Sequence, residues 1–343
     1  MSVLFLLRNR LKLSGKTSGL LNSSTFVNNF LNSFNDQPVS DVVSVDDANQ
    51  IDGVVTKLNP KVVIIEALWV TPAKMHELLS IPRHRTRIWI IRVHSKAPFL
   101  ANEGIATPWI RHYCKIPYDR LYIAPNTEEL TIQFRSVFKP YKFIYLPNIY
   151  DLERKARPRK QKTPDTIDIG CFGALRPMKN TLQQAIAAID FANQKSKRLR
   201  FHVNTSRLEQ GGENVLKNLR GIFTHSQHDL IEHGWYSHKD FLDLIHLMDI
   251  GMQVSLTESF NIVSADFVNV GVPIVISPDI DWLTDSLKAD PNDHEDIVYT
   301  LGKAYSGLLH AWFQRRSLKC YISKSEDVWI EHMETFLPDV VFS

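Results

Sequence analysis

Cysteine is scarce: three residues in 343, Cys114, Cys171 and Cys320, far apart and without a CxxC pair. That excludes a disulfide framework and a cysteine-rich zinc site, and it leads to the expectation of a reducing, cytoplasmic compartment. Long apolar runs are missing. None reaches the roughly 18 residues of a membrane span, so no stable membrane insertion is expected. The opening 1–7 is apolar over too short a distance for a secretory core, and Arg8 and Arg10 follow it where a leader would carry cations in front. It reads as a first buried strand. Excess charge is also small, at +3, and does not by itself demand a polyanionic partner. Neither half carries GxGxxG after its first strand, which argues against a nicotinamide-dependent oxidoreductase. Ser14 to Gly19, SGKTSG, lacks the spacing of a Walker loop. Repeats and low-complexity tracts are absent.

What is present is a 44% apolar chain long enough for about two domains. Short apolar runs at 2–7, 42–45, 61–66, 87–93, 121–124 and 143–146 predict strands. Helical patterns separate several of them: one ending near Phe34, one at 46–57 with Asp46 as N-cap, one at 71–79 with Pro72 at its first position, and one at 127–138. The polar stretch 151–166, DLERKARPRKQKTPDT, marks a boundary and gathers Arg154, Lys155, Arg157, Arg159, Lys160 and Lys162. It is a solvated linker or a basic lip for an acidic acceptor. Arg83, Arg85 and Arg87 form a second basic group with the same two readings. Beyond the linker the rhythm resumes, with strands at 167–172, 199–204, 232–236, 250–256 and 273–277. Helices are predicted through Ala192 and at 238–248, 260–270, 295–309 and 324–337. Alternating strands and helices predict an α/β fold with parallel sheets. The domains expected are 1–150, a linker 151–166, 167–320, and a terminal helix 321–343.

Residues 249–277, DIGMQVSLTESFNIVSADFVNVGVPIVIS, organise the chain. They read as buried strand, tight loop, buried helix, a Gly271–Pro273 stop and a second strand. Glu258 stands at the helix entrance and Asp266 eight residues on, about two turns or roughly 12 Å along the axis. A carboxylate buried there needs donors, and the helix start offers N–H groups to an anion. A nucleoside diphosphate sugar has that layout, hydroxyls on either side of a diphosphate. A buried helix whose Asp caps a neighbouring loop fits equally.

The stretch resembles the donor signature of retaining GT-B glycosyltransferases of the family-4 type: Glu258-Ser259-Phe260-Asn261-Ile262, Asp266 eight after Glu258, and Gly271-Val272-Pro273-Ile274-Val275. Asn261 stands for the family's Gly and Asp266 for its second Glu. Gly173-Ala174-Leu175-Arg176-Pro177-Met178-Lys179-Asn180 resembles the family's diphosphate loop, with Lys179 matching and Ala174 in place of the family Arg; Arg176 is the substitute. A Gly turn followed by cations before a helix is a phosphate site in physical terms as well. The resemblance covers 167–280 most closely and 1–150 loosely. Leu146-Pro147-Asn148-Ile149-Tyr150-Asp151 is similar to the family's hinge entry.

The resemblance implies two Rossmann-like domains facing across a cleft and a metal-independent transferase using a UDP- or GDP-sugar. It assigns Gly173, Arg176, Lys179 and the N–H groups of Ser259, Phe260, Asn261 and Ile262 to the diphosphate, and Asn204, Trp235 and Asp266 to base and ribose. Glu258 and His94 take the catalytic roles, with Lys96, Asn102 and Glu103 beside His94 in a loop that follows a strand end. Asp279-Ile280-Asp281 follows a strand of the second half and reads as loop, not as a metal site. EALWVTP and HSKAPFLANEG resemble phage-encoded members, which makes a hydroxymethylated pyrimidine in DNA one acceptor and a glycan another. A lipid-linked acceptor calls for a basic amphipathic face, and none stands out in the sequence. The alternative class is a GT-B protein that binds nucleotide or nucleic acid, or serves assembly, without turnover.

Overall fold

A computed structural model describes residues 1–9, 19–139, 142–154, 157, 161, 163–307 and 309–342. The chain divides into two units, Met1–Asp151 with Ile322–Ser343, and Leu152–Tyr321. The SGKTSG loop, Ser14 to Gly19, lies, but for its final Gly19, outside the described residues, as do Lys155, Arg159, Lys160 and Lys162.

In the first unit β1 (Val3–Arg8), β2 (Ser40–Val45), β3 (Val62–Glu66), β4 (Ile88–Val93) and β5 (Leu121–Pro125) form one parallel sheet in the order β2-β1-β3-β4-β5. Its helices are α1 (Gly19–Asn32), α2 (Gln50–Leu58), α3 (Pro72–Ser80), α4 (Ala97–Leu100), α5 (Ala106–Lys115) and α6 (Glu128–Val137). The inner strands are apolar but for Arg8, Glu66 and Arg92 near their carboxyl ends, because both faces are covered. Leu4, Leu6, Val63, Ile65 and Ile91 point to one core with Met75, Leu78 and Ile110. Val3, Phe5, Val62, Ile64 and Ile90 point to the other with Val27, Leu31, Trp329, Met333 and Leu337. Alternation along each strand sorts the residues between the two.

Two expectations are corrected here, and one helix is added. The segment 143–146 is not a strand of its own. Phe143 makes one isolated parallel bridge to Ile123, and Leu146 N donates to Pro125 O at 3.1 Å, before Pro147 ends the pairing. The helix expected from Asp46 begins at Gln50. Asp47 Oδ1 accepts from Asn49 N at 2.7 Å and Gln50 Oε1 from Asp46 N at 2.8 Å, so side chains hold a turn where helix was expected. Helix α5 has no counterpart in the sequence reading; its Pro108 sits in the first turn, where no N–H partner is lost.

In the second unit β6 (Thr166–Gly170), β7 (Arg198–Asn204), β8 (Asp229–His233), β9 (Ile250–Gln253) and β10 (Ile274–Ile276) form a second parallel sheet, ordered β10-β9-β6-β7-β8. Its helices are α7 (Thr181–Gln194), α8 (Gly212–Phe223), α9 (His238–Ile245), α10 (Ile262–Val270), α11 (His294–Ser306) and α12 (His310–Phe336), whose residues from Ile322 on belong to the first unit. Helix α8 escaped the sequence reading. Its buried face, Gly212, Leu216, Leu219 and Phe223, is masked by a second glycine, Gly221, and five polar residues. Helix α10 lies close on the sheet: a Cβ at Gly251 would come within 2.7 Å of the Phe267 ring. Two parallel five-stranded sheets with alternating helices make this the α/β architecture of paired Rossmann-like units expected from the sequence.

Candidate functional site

In the second sheet the strand order reverses at β6, which has β7 on one side and β9 on the other. Ligands of open α/β sheets bind at the carboxyl ends of strands at such a point. The residues there are Cys171 to Lys179 after β6 and Gln253 to Asn261 after β9.

They are tied through Gln253, which is fully buried at the end of β9. Its Nε2 donates to Phe172 O at 2.7 Å, and its Oε1 accepts from Asn261 Nδ2 at 2.8 Å and from Lys179 Nζ at 3.4 Å. Lys179 Nζ also donates to Glu258 Oε1 in a short ion pair, both side chains largely buried. Lys179 is delivered by a single 3-10 turn, Pro177–Lys179, and Asn180 follows at φ 55 to open α7. Leu256 N donates to Met178 O at 3.0 Å, which joins the two loops. Glu258 N donates to Asp279 Oδ2 at 3.0 Å, so the Asp279-Ile280-Asp281 string buttresses the Glu258 loop.

Helix α10 starts at Ile262 with Asn261 as its N-cap. Asn261 has φ 53, and its Oδ1 accepts from Ser264 N at 3.0 Å. The residue standing for the family's Gly therefore occupies left-handed backbone, which Asn tolerates better than other side chains. Phe260 is buried between Trp282 and Tyr321, ring centroids 5.3 Å from each. Ser259 and Ile262 are half-buried at the same loop. Asp266 is buried on α10 and meets a donor: His238 Nε2, at the start of α9, lies 2.7 Å from its Oδ1.

The remaining assigned residues form the neighbouring rim. Gly173 has φ 117, and its N donates to Asn204 Oδ1 at 3.0 Å. Asn204 Nδ2 donates to Gly234 O at 2.9 Å. The Asn204 amide thus clamps the β6 and β8 loops together, its role being to hold backbone. Arg176 reaches Glu209 Oε2 at 3.0 Å, Arg207 pairs with Glu209 Oε1 at 2.6 Å, and the Arg207 guanidinium lies 5.4 Å from the Trp235 ring. Glu209 is pushed up by burial and pulled down more strongly by the two arginines, and its pKa ends below the ordinary value.

In the first unit His94 follows β4 and its Nε2 lies 2.5 Å from Glu66 Oε2 at the end of β3. Glu66 Oε1 pairs with Arg92 Nη1 at 3.0 Å, both fully buried. Arg92 Nη2 spreads over Leu146 O, Pro147 O and Asn148 Oδ1 at 3.2, 3.1 and 2.8 Å. Burial would raise the Glu66 carboxyl, but Arg92 and His94 outweigh it and hold the group at about 2. Burial, with the Arg92 charge, lowers the His94 pKa against the pull of Glu66. His94 is therefore a neutral imidazole whose Nε2–H donates to Glu66. Of its loop neighbours, Lys96 pairs with Glu129 at 3.2 Å, while Asn102 and Glu103 lie on the segment leading to α5.

Several residues of these networks were not foreseen: Gln253, His238, Glu209, Arg207, Glu66 and Arg92. Gln253, Glu66 and Arg92 did leave a signal, each a polar side chain at the end of an apolar strand. Of the basic groups, Arg157 is bound to Glu153 and Asp243, Arg83 to Asp52, and Arg87 is buried against Asn59 and Pro60.

No protein-family model matches the chain, and no curated protein matches it in sequence. Solved structures do match. The apo structure of OtsA has a TM-score of 0.70 at 13% identity, over 97% of this chain and 99% of that one. A trehalose-6-phosphate structure from E. coli bound with UDP-2-fluoro glucose has a TM-score of 0.65 at 13% identity, over 99% and 100%. A variant of S. aureus TarM in complex with fondaparinux, α-GlcNAc-glycerol and UDP has a TM-score of 0.64 at 12% identity, over 84% of this chain and 59% of that one. Likeness at such identities establishes the fold, the paired Rossmann-like arrangement of GT-B proteins.

Proposed function

We propose that the chain is a retaining glycosyltransferase that takes a sugar from a UDP- or GDP-sugar and delivers it to a hydroxyl acceptor without needing a metal ion. One observation carries the reading: Lys179, Glu258 and the Asn261-capped start of α10 converge, through Gln253, at the switch point of a parallel sheet. The fold is one in which other proteins have been solved with UDP and UDP-2-fluoro glucose.

The chemical problem is a departing diphosphate that gathers negative charge. Lys179 supplies a fixed cation and the N–H groups of the Ser259–Ile262 turn supply donors, both preorganised before the bond breaks. Gly173 opens the loop against which the phosphates lie, and Arg176 adds a second cation. Glu258 holds sugar hydroxyls and favours positive charge at the anomeric carbon. Asp266, steadied by His238, takes the ribose hydroxyls, and Asn204 and Trp235 shape the base side. His94, neutral and oriented by Glu66, is assigned to the sugar or the acceptor. The acceptor oxygen bonds to the anomeric carbon as the carbon–oxygen bond to diphosphate breaks on the same face, and its proton passes to the departing phosphate oxygen.

The acceptor is a glycan hydroxyl or a hydroxymethylated pyrimidine of DNA. Internal pairing of Arg157, Arg83 and Arg87 leaves fewer cations for a phosphate backbone and weighs toward the glycan. The direct test is release of nucleoside diphosphate from a panel of UDP- and GDP-sugars, with wild-type protein and Glu258→Gln. Release by wild type alone supports the reading, and equal release by the variant removes Glu258 from it. A second reading, nucleotide binding without turnover, is favoured by Arg176 standing tied to Glu209 and by Ala174 in the place of the family Arg. Tight nucleotide binding with no release from any donor would select it.

A further inference from the structure

The first turns of α12 are inside out. Helical positions 314, 315 and 318 face inward, and two of them are polar. Gln314 is fully buried, donating to Ile274 O at 2.7 Å and accepting from Ile274 N at 3.1 Å. Arg315 is buried with Nη1 on Asn269 O at 2.8 Å and Nη2 on Glu153 O. The outward face carries the aromatics: Trp312 is 56% exposed and Phe313 44%, with Leu309 just before the helix at 63%. A rotation of the helix would have buried them, but the Gln314 and Arg315 bonds fix the opposite orientation. Exposure of this cluster is thus built in, and none of its residues is assigned to sugar transfer.

Its company is cationic. At 100° per residue, Arg316, Lys319 and the exposed Cys320 share the face of Trp312 and Phe313. The Arg316 guanidinium lies 5.8 Å from the Trp312 ring, which stands 5.0 Å from that of Phe313. Helix α11 repeats the pairing, with Tyr299 67% exposed and Lys303 Nζ 4.8 Å from its ring. No Asp or Glu occurs between Asp296 and Glu326, a stretch that holds Lys303, Arg316, Lys319 and Lys324. Exposed Trp and Phe beside Arg and Lys, without acids, match the boundary layer of a bilayer: the rings enter at headgroup depth and the cations meet lipid phosphates. A protein hot spot would also use Trp and Arg, but there the charge would be answered by a particular pattern of acids. An unbroken run without acids suits a surface of uniform negative charge. Among the described residues no helix is long and apolar enough to cross a membrane, so this contact is peripheral.

We infer that the Leu309–Lys319 face docks the protein on anionic lipid membranes, with Trp312 and Phe313 as wedge and Arg316 and Lys319 as counterparts of the lipid phosphates.

The test is co-sedimentation of the full chain with vesicles of phosphatidylcholine alone and of phosphatidylcholine mixed with phosphatidylglycerol. It compares wild type, Trp312→Ala/Phe313→Ala and Arg316→Gln/Lys319→Gln, with the thermal unfolding midpoint checked in each. Wild type should bind the mixed vesicles, more weakly as salt rises. The charge variant should lose about tenfold or more in partition coefficient, the order expected for removing two interfacial charges, and the aromatic variant should lose several-fold through its smaller buried apolar area, each with its midpoint unmoved. The inference is overturned if wild type fails to bind mixed vesicles, or if folded variants bind as well as wild type. It is also overturned if the aromatic variant merely dissolves a wild-type dimer that never touched lipid, because the face would then join two copies of the chain.

Discussion

Asn261 does three things at one position. It holds a backbone φ of 53, caps α10 through Ser264 N, and donates to Gln253 at the centre of the candidate site. Asn261→Ala loses the cap and places a Cβ in left-handed backbone, and urea unfolding should show a loss of about 2–3 kcal/mol. Asn261→Gly restores the backbone freedom and should stay within about 1 kcal/mol of wild type. In the proposed transfer the chemistry rests on the Lys179–Glu258 pair. Glu258→Gln should lower the rate of transfer by roughly 100-fold or more while changing nucleotide affinity little, as for removal of one transition-state contact. Rates within a few-fold of wild type would displace Glu258 from the mechanism. Glu258 and Asn261 were legible because the turn bearing them is set locally, by Phe260, Asn261 and the Gly271–Pro273 stop, and Lys179 because it closes the Gly173 loop before a helix. Their partners were not. Gln253 comes from a strand, His238 from the helix before it, and Glu209 from a loop after β7, and only the folded topology unites them.

Helix α12 illustrates how an element can be found and its orientation missed. Its apolar spacing was read only from residue 324 on, where Trp329 and Met333 join the core of the first unit. The first part, His310 to Tyr321, hides because two of its three inward residues, Gln314 and Arg315, are polar. Gln314 covers the outer edge of β10, the last strand of its sheet, by pairing both polar groups of Ile274. Gln314→Ala leaves a buried N–H and C=O unpaired, and chemical denaturation should register a loss of about 2–3 kcal/mol. A change under about 0.5 kcal/mol would mean that other groups satisfy that edge. The parallel strands were legible, since a run of consecutive apolar residues is what burial on both faces demands, with polar residues such as Glu66 and Gln253 only at the strand ends. The segment 143–146 shows the limit of that rule: it is apolar enough for a strand, yet Pro147 stops the ladder after one bridge.

Across the whole molecule, stability should answer to pH in two stages. His84, His94, His228, His233 and His332 all have pKa values lowered from 6.5, chiefly by burial. For each, the unfolded chain binds a proton more readily than the folded one. The neutral ring favours the fold above 6.5, and that advantage fades as pH falls through and below that value. Glu66, ordinarily at 4.5 but held at about 2 in the fold, adds stability that is lost only as pH falls from 4.5 toward 2. Thermal unfolding followed from neutral pH downward should therefore decline first in the histidine range and again in the carboxylate range. A midpoint constant between pH 7.5 and 5 would contradict the first stage, since the ordinary histidine value of 6.5, at which the unfolded chain takes up protons, lies within that span. The central claim, that Lys179 stands at a nucleoside diphosphate site, is tested most directly by ligand-induced stabilisation. With UDP or GDP at about 100 times its dissociation constant, wild type should gain roughly 2.7 kcal/mol, and at the same concentration Lys179→Ala should gain less than half of that. If neither nucleotide stabilises wild type, or if Lys179→Ala is stabilised equally, the switch point of the second sheet does not hold the diphosphate and the account fails.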